Sequence, residues 1–487
     1  MSELGDALRA APAVRIAADA LAGQSAWLVG GAVRDAALAR PVVDADLAVE
    51  PGAEERAARA IARAAEGAAF PLSEEFGTWR AAAGRRSWHV DVTRLRGEGL
   101  RADIALRDFT ANAVALPLGE LDAEPIDPTG GLGDISRRVL RAVSDTTFAD
   151  DPLRLLRAAR LGASLGFEID AGTLALARSA ADRGGEPAGE RRLAELRGLI
   201  AGPDPIRALE LLDALGATRG VLPELDDLRG VEQNPNHHLD VHGHTIEVLR
   251  QTLAVQADLD TYAGPSAERV RALLAEPLGD DFTRGDALRL GAVLHDVGKP
   301  ATRGEHAGYI TFIGHDSVGA DMVDTAMERL KASRALRRHV AGLTRHHLHL
   351  GFLVHERPLP RRRLYEYVAH CGDVAPDVTL LTAADRLSAR GSGTLAAPEM
   401  IAAHLELVRE VLPDALDWHE RGAPPVPVAG DELARELGIS EGPGLGELIE
   451  ELRAAVFAGE VGDREGAIEH ARRVLEAGGP AAGGAPE

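Results

Sequence analysis

The stretch that decides the fold is LVGGAVRDAALARPVVDADLAVE, residues 28–50. Residues 27–29 predict a short apolar strand, Gly30 and Gly31 predict a tight turn, and residues 32–39 predict a helix. The first amide groups of a helix have no partner within the helix, so they point back at the turn and suit an anionic phosphate. The stretch therefore predicts a phosphate cradle at the end of a buried strand.

Two aspartates, Asp44 and Asp46, follow this helix on a second predicted strand. Because successive side chains on a strand alternate between its two faces, both carboxylates lie on one face and can hold a divalent metal. A phosphate cradle beside paired carboxylates is what metal-dependent nucleotidyl transfer requires. The Asp-x-Asp pattern alone has little specificity, and it also fits an exposed acidic strand end.

The motifs around this pair are more specific. Gly-Gly-x-Val-Arg-Asp followed by Asp-x-Asp resembles the signature of class II tRNA nucleotidyltransferases and bacterial poly(A) polymerases. Further matches follow in the family's order: Phe76-Gly77-Thr78, WHVDVT at 88–93, RDFTANA at 107–113 and DDPLRLLRAAR at 150–160. The resemblance implies an α+β fold with a small mixed-sheet nucleotidyltransferase head, similar to polymerase beta. An all-helical neck and body and a helical HD domain would follow the head.

The resemblance also implies roles for single residues. Asp44 and Asp46 would be catalytic and would bind two Mg²⁺ ions. The implied nucleotide-binding residues are Gly30, Gly31 and Arg34 at the triphosphate, Arg107, Asp108 and Asn112 at the sugar side, and Asp151 and Arg154 at the base, with Arg157 and Arg160 on the same helix. Asp91, on a neighbouring strand, is predicted as a supporting acid, with an exposed strand carboxylate as the alternative.

Asp151 and Arg154 have a physical case of their own. A carboxylate accepts and a guanidinium donates, and at positions i and i+3 of a helix the two would lie on one face and hold each other rigid. Such a pair imitates a complementary base, so protein rather than a template would choose CTP or ATP. The alternative is a surface salt bridge worth under about 1 kcal/mol.

Three departures from the family concern the nucleotide site. Residues 97–106, GEGLRADIAL, are ten residues where full CCA-adding relatives usually carry a longer flexible loop, and relatives without that loop typically add only C. Leu106 stands where an arginine normally precedes Arg107, and Val49 replaces the usual threonine after the aspartate pair. Neither substitution removes a predicted metal ligand.

A second metal chemistry is predicted further along, because 11 of the 17 histidines fall between His237 and His349. The string LGAVLHDVGKP, residues 290–300, resembles the core of HD-domain phosphohydrolases. The implied metal ligands are His244, His295, Asp296 and Asp385, with His315, His346 and His347 for a second ion. Imidazole and carboxylate ligands together suit a divalent transition metal, whose identity the sequence leaves open. A domain that binds metal without catalysis is the alternative.

Composition limits the class of protein. The 487 residues suffice for three or four domains, and the single cysteine, Cys371, excludes an intramolecular disulfide and cysteine-rich zinc sites. The pattern of the amino terminus predicts a surface helix rather than a signal peptide. The sequence contains no apolar run of about 18 residues, so it does not predict a membrane span. A cytoplasmic location is therefore expected. The net charge of −22 argues only superficially against a nucleic-acid partner, because arginines can form a local track for phosphates.

The predicted division of the chain is a head at 1–148 with a leading helix at 1–24, an RNA-binding neck and body at 149–228, an HD domain at 229–392, a helical segment at 393–477 and a disordered tail at 478–487. The predicted function is template-independent addition of C to tRNA 3′ ends, as CC with CCA open, from CTP and ATP with release of pyrophosphate. The alternatives are a poly(A) polymerase on RNA 3′ ends and an HD phosphodiesterase or phosphatase with a non-catalytic head. The sequence does not indicate an oligomeric state.

Overall fold

The computed structural model describes residues 3–73, 77–84 and 88–478. Phe76, which belongs to one predicted family motif, and most of the predicted disordered tail lie outside these described residues. The chain divides into two units, Met1–Val221 and Leu222–Glu487.

In its described residues, the first unit contains eight strands, with helices before, between and after them along the chain. Its strands are β1 Ala26–Val29, β2 Ala45–Val49, β3 Ala68–Ser73, β4 Thr78–Ala82, β5 His89–Arg94, β6 Ala115–Pro117, β7 Val139–Leu140 and β8 Glu168–Ile169. Its helices are α1 Glu3–Ala10, α2 Pro12–Ala20, α3 Gly31–Ala37, α4 Glu54–Ala64, α5 Leu100–Ala105, α6 Gly131–Arg137, α7 Thr147–Asp150, α8 Arg154–Leu165, α9 Ala171–Ser179, α10 Gly189–Ile200, α11 Pro205–Ala214 and α12 Thr218–Val221, with 3-10 turns at Thr110–Asn112 and Ala181–Gly185.

Six strands form one mixed sheet in the order β3-β4-β5-β2-β1-β6. β2 and β5 pair in parallel, whereas the other neighbours in this sheet are antiparallel. Leu28, Leu47 and Val90 are fully buried and belong to the same apolar core as residues of α1, α2 and α4. The parallel register places Asp46 opposite Asp91. The core therefore fixes the strand that carries the predicted metal ligand.

The predicted leading helix at 1–24 is wrong in detail, because the segment forms two helices, α1 and α2. Pro12 is the first residue of α2. Proline has no backbone N–H to donate to a preceding turn, and it is well tolerated at the start of a helix. One helix therefore ends before Pro12 and another begins there.

The second unit is almost entirely helical. Its helices are α13 Pro223–Asp226, α14 Val241–Ala257, α15 Leu259–Ala263, α16 Ala267–Leu274, α17 Arg284–Leu294, α18 Lys299–Thr302, α19 His315–Arg329, α20 Arg334–His346, α21 His349–Leu353, α22 Arg361–Cys371, α23 Ala375–Ser388, α24 Pro398–Arg421, α25 Gly430–Leu437, α26 Pro443–Phe457 and α27 Arg464–Glu476, with 3-10 turns at Gly264–Ser266, Gly372–Val374 and Thr394–Ala396. Two short antiparallel pairs join β9 Pro277–Gly279 to β10 Phe282–Thr283 and β11 Gly304–His306 to β12 Tyr309–Thr311.

Helices α14, α17, α19, α20 and α23 pack on one another and surround the predicted HD residues. The last three helices have a core of their own, which includes Leu433, Leu448 and Ile468. Within the described parts of the chain, no helix is both long and apolar enough to cross a membrane. The predicted α+β class, a small mixed sheet followed by helices, is confirmed.

Candidate functional sites

The first unit contains a cavity of about 880 Å³. Its lining includes eleven of the residues that the sequence predicted to act together: Gly30, Gly31, Arg34, Asp46, Arg107, Asp108, Asn112, Asp151, Arg154, Arg157 and Arg160. These residues come from positions far apart in the chain. They lie on β2, on α3 and the turn before it, on the segment from the end of α5 through the 3-10 turn at Thr110–Asn112, and on α8 and the residues before it. A volume of this size can hold a nucleotide-sized ligand.

Asp46 carries the clearest electrostatic signal in this cavity. Its pKa is raised because the surrounding protein displaces water and because the carboxylate of Asp91 is close. Arg80 neutralises Asp91, with Nε and Nη2 each donating over 2.8 Å to its two oxygens. A carboxylate with a raised pKa on the open side of a cleft is stabilised by an added cation, so Asp46 fits a divalent metal ion.

Asp44 lies just before β2 and is not among the residues that line the cavity. Its Oδ1 accepts from the backbone N–H of His89 at 2.8 Å and lies 3.0 Å from His89 Nδ1. Sequence reasoning missed His89. The alignment of β5 beside β2 could have indicated it, since His89 begins the strand that carries Asp91.

The first glycine of the Gly-Gly turn is required by its backbone conformation and by a close contact. Gly30 has a φ of +71°, and a Cβ atom there would lie 3.0 Å from Asp46 Oδ2. The Gly31 N–H donates to Asp46, so this amide is not free for phosphate as the sequence predicted. Arg34 Nη1 donates to Asn112 Oδ1 over 2.7 Å. The turn therefore orients the metal-binding carboxylate, and Arg34 and Asn112 position each other.

Asp108 is buried and has four hydrogen-bond donors around it. The Phe109 N–H and Asn112 Nδ2 donate to Oδ1 over 2.8 Å and 3.1 Å, and Arg157 Nε and Nη2 donate to Oδ2 over 3.0 Å and 2.8 Å. Burial alone would raise the pKa of Asp108, but the charge and hydrogen bonds of Arg157 outweigh it and lower the pKa to about 2. Asp108 therefore stays ionised and holds Arg157.

Two further acids that the sequence analysis missed hold the arginines of the cavity. Glu195 accepts from Arg157 Nη1 at 3.2 Å and from Arg160 Nε at 2.6 Å. Asp103 is buried and accepts from Arg107 Nη2 at 2.9 Å and Arg96 Nε at 3.0 Å. Neither acid belongs to a recognised motif, so only its contacts in the folded structure indicate its role.

The predicted ion pair between Asp151 and Arg154 is wrong. Asp151 lies before α8 in an extended conformation, with φ −148° and ψ 100°, and its Oδ2 accepts from Arg191 Nη2 at 2.7 Å. Arg154 donates instead to the carbonyl oxygens of Thr147 and Leu106, over 3.2 Å and 2.8 Å. Pro152 gives the physical reason, since a residue before proline is disfavoured in the helical region. Both side chains still line the cavity.

Residues 97–106 contain helix α5 rather than a plain loop. The buried Asp103 of this helix joins Arg96, before it, to Arg107, after it. Leu106, which stands where the family usually has arginine, is 45% exposed and offers its carbonyl to Arg154. The short connection is therefore an anchored element at the rim of the cavity.

The second unit assembles the predicted HD ligands. The His244 and His295 Nε2 atoms lie 3.7 Å and 3.1 Å from Asp296 Oδ2, and His244 Nε2 lies 3.0 Å from Asp385 Oδ1. His315 and His347 approach the other oxygen of Asp296, with Nε2 atoms 3.3 Å and 3.8 Å away. Asp296 thus lies between two groups of ligand atoms, as a bridging carboxylate would in a two-metal site.

The histidine rings are oriented for metal binding. Nδ1 of His295, His315 and His347 each lies within 2.9 Å of the carbonyl oxygen three residues earlier. An Nδ1–H that donates to a carbonyl leaves the Nε2 lone pair free for a metal. Nε2 of His295 is also a buried atom without a hydrogen-bond partner among the described residues. The donor set therefore fits a divalent transition ion.

His346 does not join this set, and its predicted place in the second metal site is wrong. It packs against His349 and His370, whereas the next residue, His347, enters the Asp296 cluster. Consecutive residues of a helix point about 100° apart, so both could not face one ion. Lys299, which the sequence analysis missed, places Nζ 2.7 Å from Asp296 Oδ2 and donates to Gln233 over 2.6 Å.

Comparison with known families gives three matches along the chain. Residues 26–141 match the Poly A polymerase head domain, residues 166–228 the probable RNA and SrmB-binding site of polymerase A, and residues 241–390 the HD domain. The head-domain match includes Gly30, Asp46 and Asn112 of the first cavity, and the HD match includes the ligand atoms around Asp296. Asp151 and Arg154 of the first cavity lie between the matched ranges.

Curated relatives match over almost the whole chain. The A-adding tRNA nucleotidyltransferase of Deinococcus radiodurans is 36% identical, covering 93% of this chain and 96% of its own. The CC-adding tRNA nucleotidyltransferase of Thermus thermophilus is 33% identical, covering 91% and 92%. The Bacillus stearothermophilus CCA-adding enzyme in complex with CTP has a similar fold, with a TM-score of 0.59 at 22% identity, covering 96% of this chain and 99% of its own.

Proposed function

The chain belongs to the family of tRNA nucleotidyltransferases and bacterial poly(A) polymerases, and we propose that it extends tRNA 3′ ends without a template, using CTP or ATP and releasing pyrophosphate. The observation that carries the proposal is a cavity lined by Asp46 together with arginines that other side chains hold in place. Phosphoryl transfer depends mainly on positioning and on stabilising negative charge, and these residues supply both.

Nucleotidyltransferase and HD domains generally use divalent metals, and we assign Mg²⁺ to Asp44 and Asp46. When bound, two such ions neutralise the triphosphate and activate the terminal 3′-hydroxyl of the RNA. The Gly31 amide and the packing of Gly30 keep Asp46 oriented, and His89 keeps Asp44 oriented. The acids are thereby set before substrate arrives.

The arginines bind and orient the nucleotide. Arg34 and Arg107 lie beside the Gly-Gly turn, where we place the triphosphate. Arg157 is held by Asp108 and Glu195, so it keeps one position without losing side-chain freedom on binding. Asp108 and Asn112 lie on the side of the cavity where we place the sugar of the nucleotide. Asp151 and Arg154 face the base, fixed by Arg191 and by two carbonyls.

We favour addition of C, because the short helix α5 takes the place where a longer loop would lie. Asp103 of this helix accepts hydrogen bonds from Arg96, before the helix, and from Arg107, after it, and so holds the segment at both ends. A segment so anchored is a poor candidate for the motion that switches a pocket from CTP to ATP. Addition of a single A is the second candidate, since the Deinococcus relative, an A-adding enzyme, matches over 93% of this chain.

The test is incubation of the purified protein with Mg²⁺ and a tRNA lacking its 3′ CCA, or one ending in CC, with CTP alone, ATP alone or both. The products are then sequenced at their 3′ ends. Two C residues added to the first tRNA, with no A after them, support C addition. One A on the second tRNA alone supports A addition, and full CCA contradicts the argument from α5. Long A tails on a generic oligonucleotide support a poly(A) polymerase instead.

For the second unit we propose a metal-dependent phosphohydrolase that acts on phosphate esters. His244, His295, Asp296 and Asp385 would hold a divalent transition ion, and His315 and His347 with Asp296 would hold a second. Such ions supply a nucleophilic water at neutral pH. Lys299 neutralises Asp296 and lines the same small cavity, where it can bind the phosphate. Absence of hydrolysis of p-nitrophenyl phosphate and of 2′,3′-cyclic nucleotides with Mn²⁺, Ni²⁺ or Co²⁺ would contradict this proposal and favour a domain that binds metal without catalysis.

We propose the division of the chain that the sequence predicted: head 1–148, neck and body 149–228, HD domain 229–392 and a helical segment 393–477. The three matched family ranges support it, and limited proteolysis with mass spectrometry of the fragments tests it. Cuts clustered near residues 148, 228 and 392 would fit this division.

A further inference from the structure

A second group of histidines lies apart from the HD ligands. His346 ends α20, His349 begins α21 and His370 lies near the end of α22. One ring nitrogen from each lies within 4.8 Å of those of the other two. The ring centroids are 5.4 Å apart for His346 and His349, 4.9 Å for His346 and His370, and 4.3 Å for His349 and His370.

The hydrogen bonding of these rings is incomplete. Nδ1 of His346 and Nδ1 of His349 are buried atoms with no hydrogen-bond partner among the described residues. A buried polar atom that is left without a partner destabilises the folded protein. Hydrogen bonds hold His295, His315 and His347 by their Nδ1 atoms, so the two groups differ in which nitrogen is free. An ion bound between the rings would satisfy Nδ1 of His346 and His349.

The donor atoms of the cluster favour a divalent ion of borderline character. All three side chains offer imidazole nitrogen, a ligand that suits Zn²⁺, Cu²⁺ or Ni²⁺ rather than Mg²⁺ or Ca²⁺. The carboxylate of Asp316 is close enough to act on both rings and adds negative charge to the site.

We propose that His346, His349 and His370 form a third metal site, separate from the HD ligands, that binds a borderline divalent ion of the Zn²⁺ type. Three imidazoles suit Zn²⁺, Ni²⁺ or Co²⁺, whereas Mg²⁺ prefers oxygen ligands. His370 is exposed, which leaves a path for the ion and a coordination position open to water. The ion would tie the ends of α20, α21 and α22 together.

The site also neighbours the HD cluster along the chain. His346 precedes His347, and Asp316 follows His315, both of which approach Asp296. An ion that fixes the end of α20 therefore fixes the backbone that presents His347. The proposed role is to position this HD ligand, and no reaction is assigned to the third ion.

The test measures bound Zn²⁺ by mass spectrometry of the metal after the full-length protein is stripped with a chelator, loaded and desalted. His370→Gln is the main variant, because its side chain is exposed and the change should not disturb folding. His349→Ala is the second variant, and His355→Ala, an exposed histidine outside the cluster, is the matched control. Circular dichroism of the metal-free proteins checks that all three fold.

Both cluster variants should hold about one Zn²⁺ per chain fewer than the wild type and the His355→Ala control. Their loss of affinity should exceed the roughly 10- to 100-fold that changes outside the ligand shell cause. The same difference should persist when each variant is combined with His295→Ala, since that change affects only the HD site. Equal Zn²⁺ content in all proteins, or a difference that disappears with His295→Ala, would overturn the proposal.

Discussion

Asp108→Asn is expected to destabilise the first unit, because the carboxylate of Asp108 is buried and holds Arg157. Its pKa falls from 3.8 to about 2 in the folded protein. A difference of one pKa unit corresponds to about 1.4 kcal/mol, so ionised Asp108 contributes about 2 kcal/mol to the free energy of unfolding. For a unit of this size, that loss lowers the melting temperature by about 4–8 °C.

The pH dependence follows from the direction of this change. The folded pKa lies below the unfolded one, so the contribution of Asp108 is fully present above about pH 4 and is lost as the pH falls towards 2. The wild type should therefore exceed Asp108→Asn in stability by about 2 kcal/mol from pH 7 to pH 5. Below pH 4 the difference should narrow.

Urea denaturation followed by tryptophan fluorescence measures this effect. Three of the four tryptophans, Trp27, Trp79 and Trp88, belong to the first unit, so the signal reports mainly on that unit. The matched control is Glu55→Gln, which removes an exposed ion pair with Arg59 and should cost no more than about 1 kcal/mol. An Asp108→Asn protein as stable as this control at pH 7 would show that ionised Asp108 does not stabilise the first unit. A stability difference between wild type and Asp108→Asn that stays constant down to pH 3 would show the same.

Three other changes have expected outcomes. Arg284→Met leaves the fully buried Asp377 without its arginine and should lower the free energy of unfolding, measured in urea, by about 3–5 kcal/mol. The control, Arg435→Met, breaks an exposed ion pair with Asp431 and should lower it by under about 1 kcal/mol. Equal losses in the two variants would contradict this expectation. His295→Ala should remove metal-dependent phosphatase activity but leave nucleotide incorporation intact, and loss of both would indicate coupling of the two activities. Burial raises the pKa of Cys371 to about 12, so iodoacetamide at pH 8 should label it slowly in the native protein and quickly in urea; equal rates would show that the thiol is exposed.

Much of the first site was accessible from sequence because its parts are local. The apolar run before Gly30, the two glycines and the spacing of Asp44 and Asp46 predicted β1, the turn and the β2 edge, and the structure has β1 at Ala26–Val29 and β2 at Ala45–Val49. Turn geometry and strand alternation act over a few residues, so local patterns suffice for them.

The partners that hold the site were not accessible in this way. Asp103, Glu195 and Arg191 have no motif, and they matter only because folding brings them to Arg107, Arg157 and Asp151. Such pairs are tertiary, and a single sequence carries no signal for them.

For two of the wrong predictions, adjacent residues in the sequence already argued against the prediction. Pro152 disfavours a helical conformation at Asp151, which argued against an i, i+3 pair with Arg154. The adjacency of His346 and His347 argued that only one could face the HD ions.

The dependence of nucleotide transfer on the aspartate pair is measured as the rate of CTP and ATP incorporation into tRNAs that lack CCA or the terminal A. Wild type, Asp46→Ala, Asp44→Ala and the Glu55→Gln control are compared at saturating Mg²⁺, after circular dichroism shows that all four fold. Wild type and Glu55→Gln should incorporate nucleotide, and neither aspartate variant should do so above background. Incorporation at the wild-type rate by a folded Asp46→Ala protein would show that the reaction does not need this carboxylate.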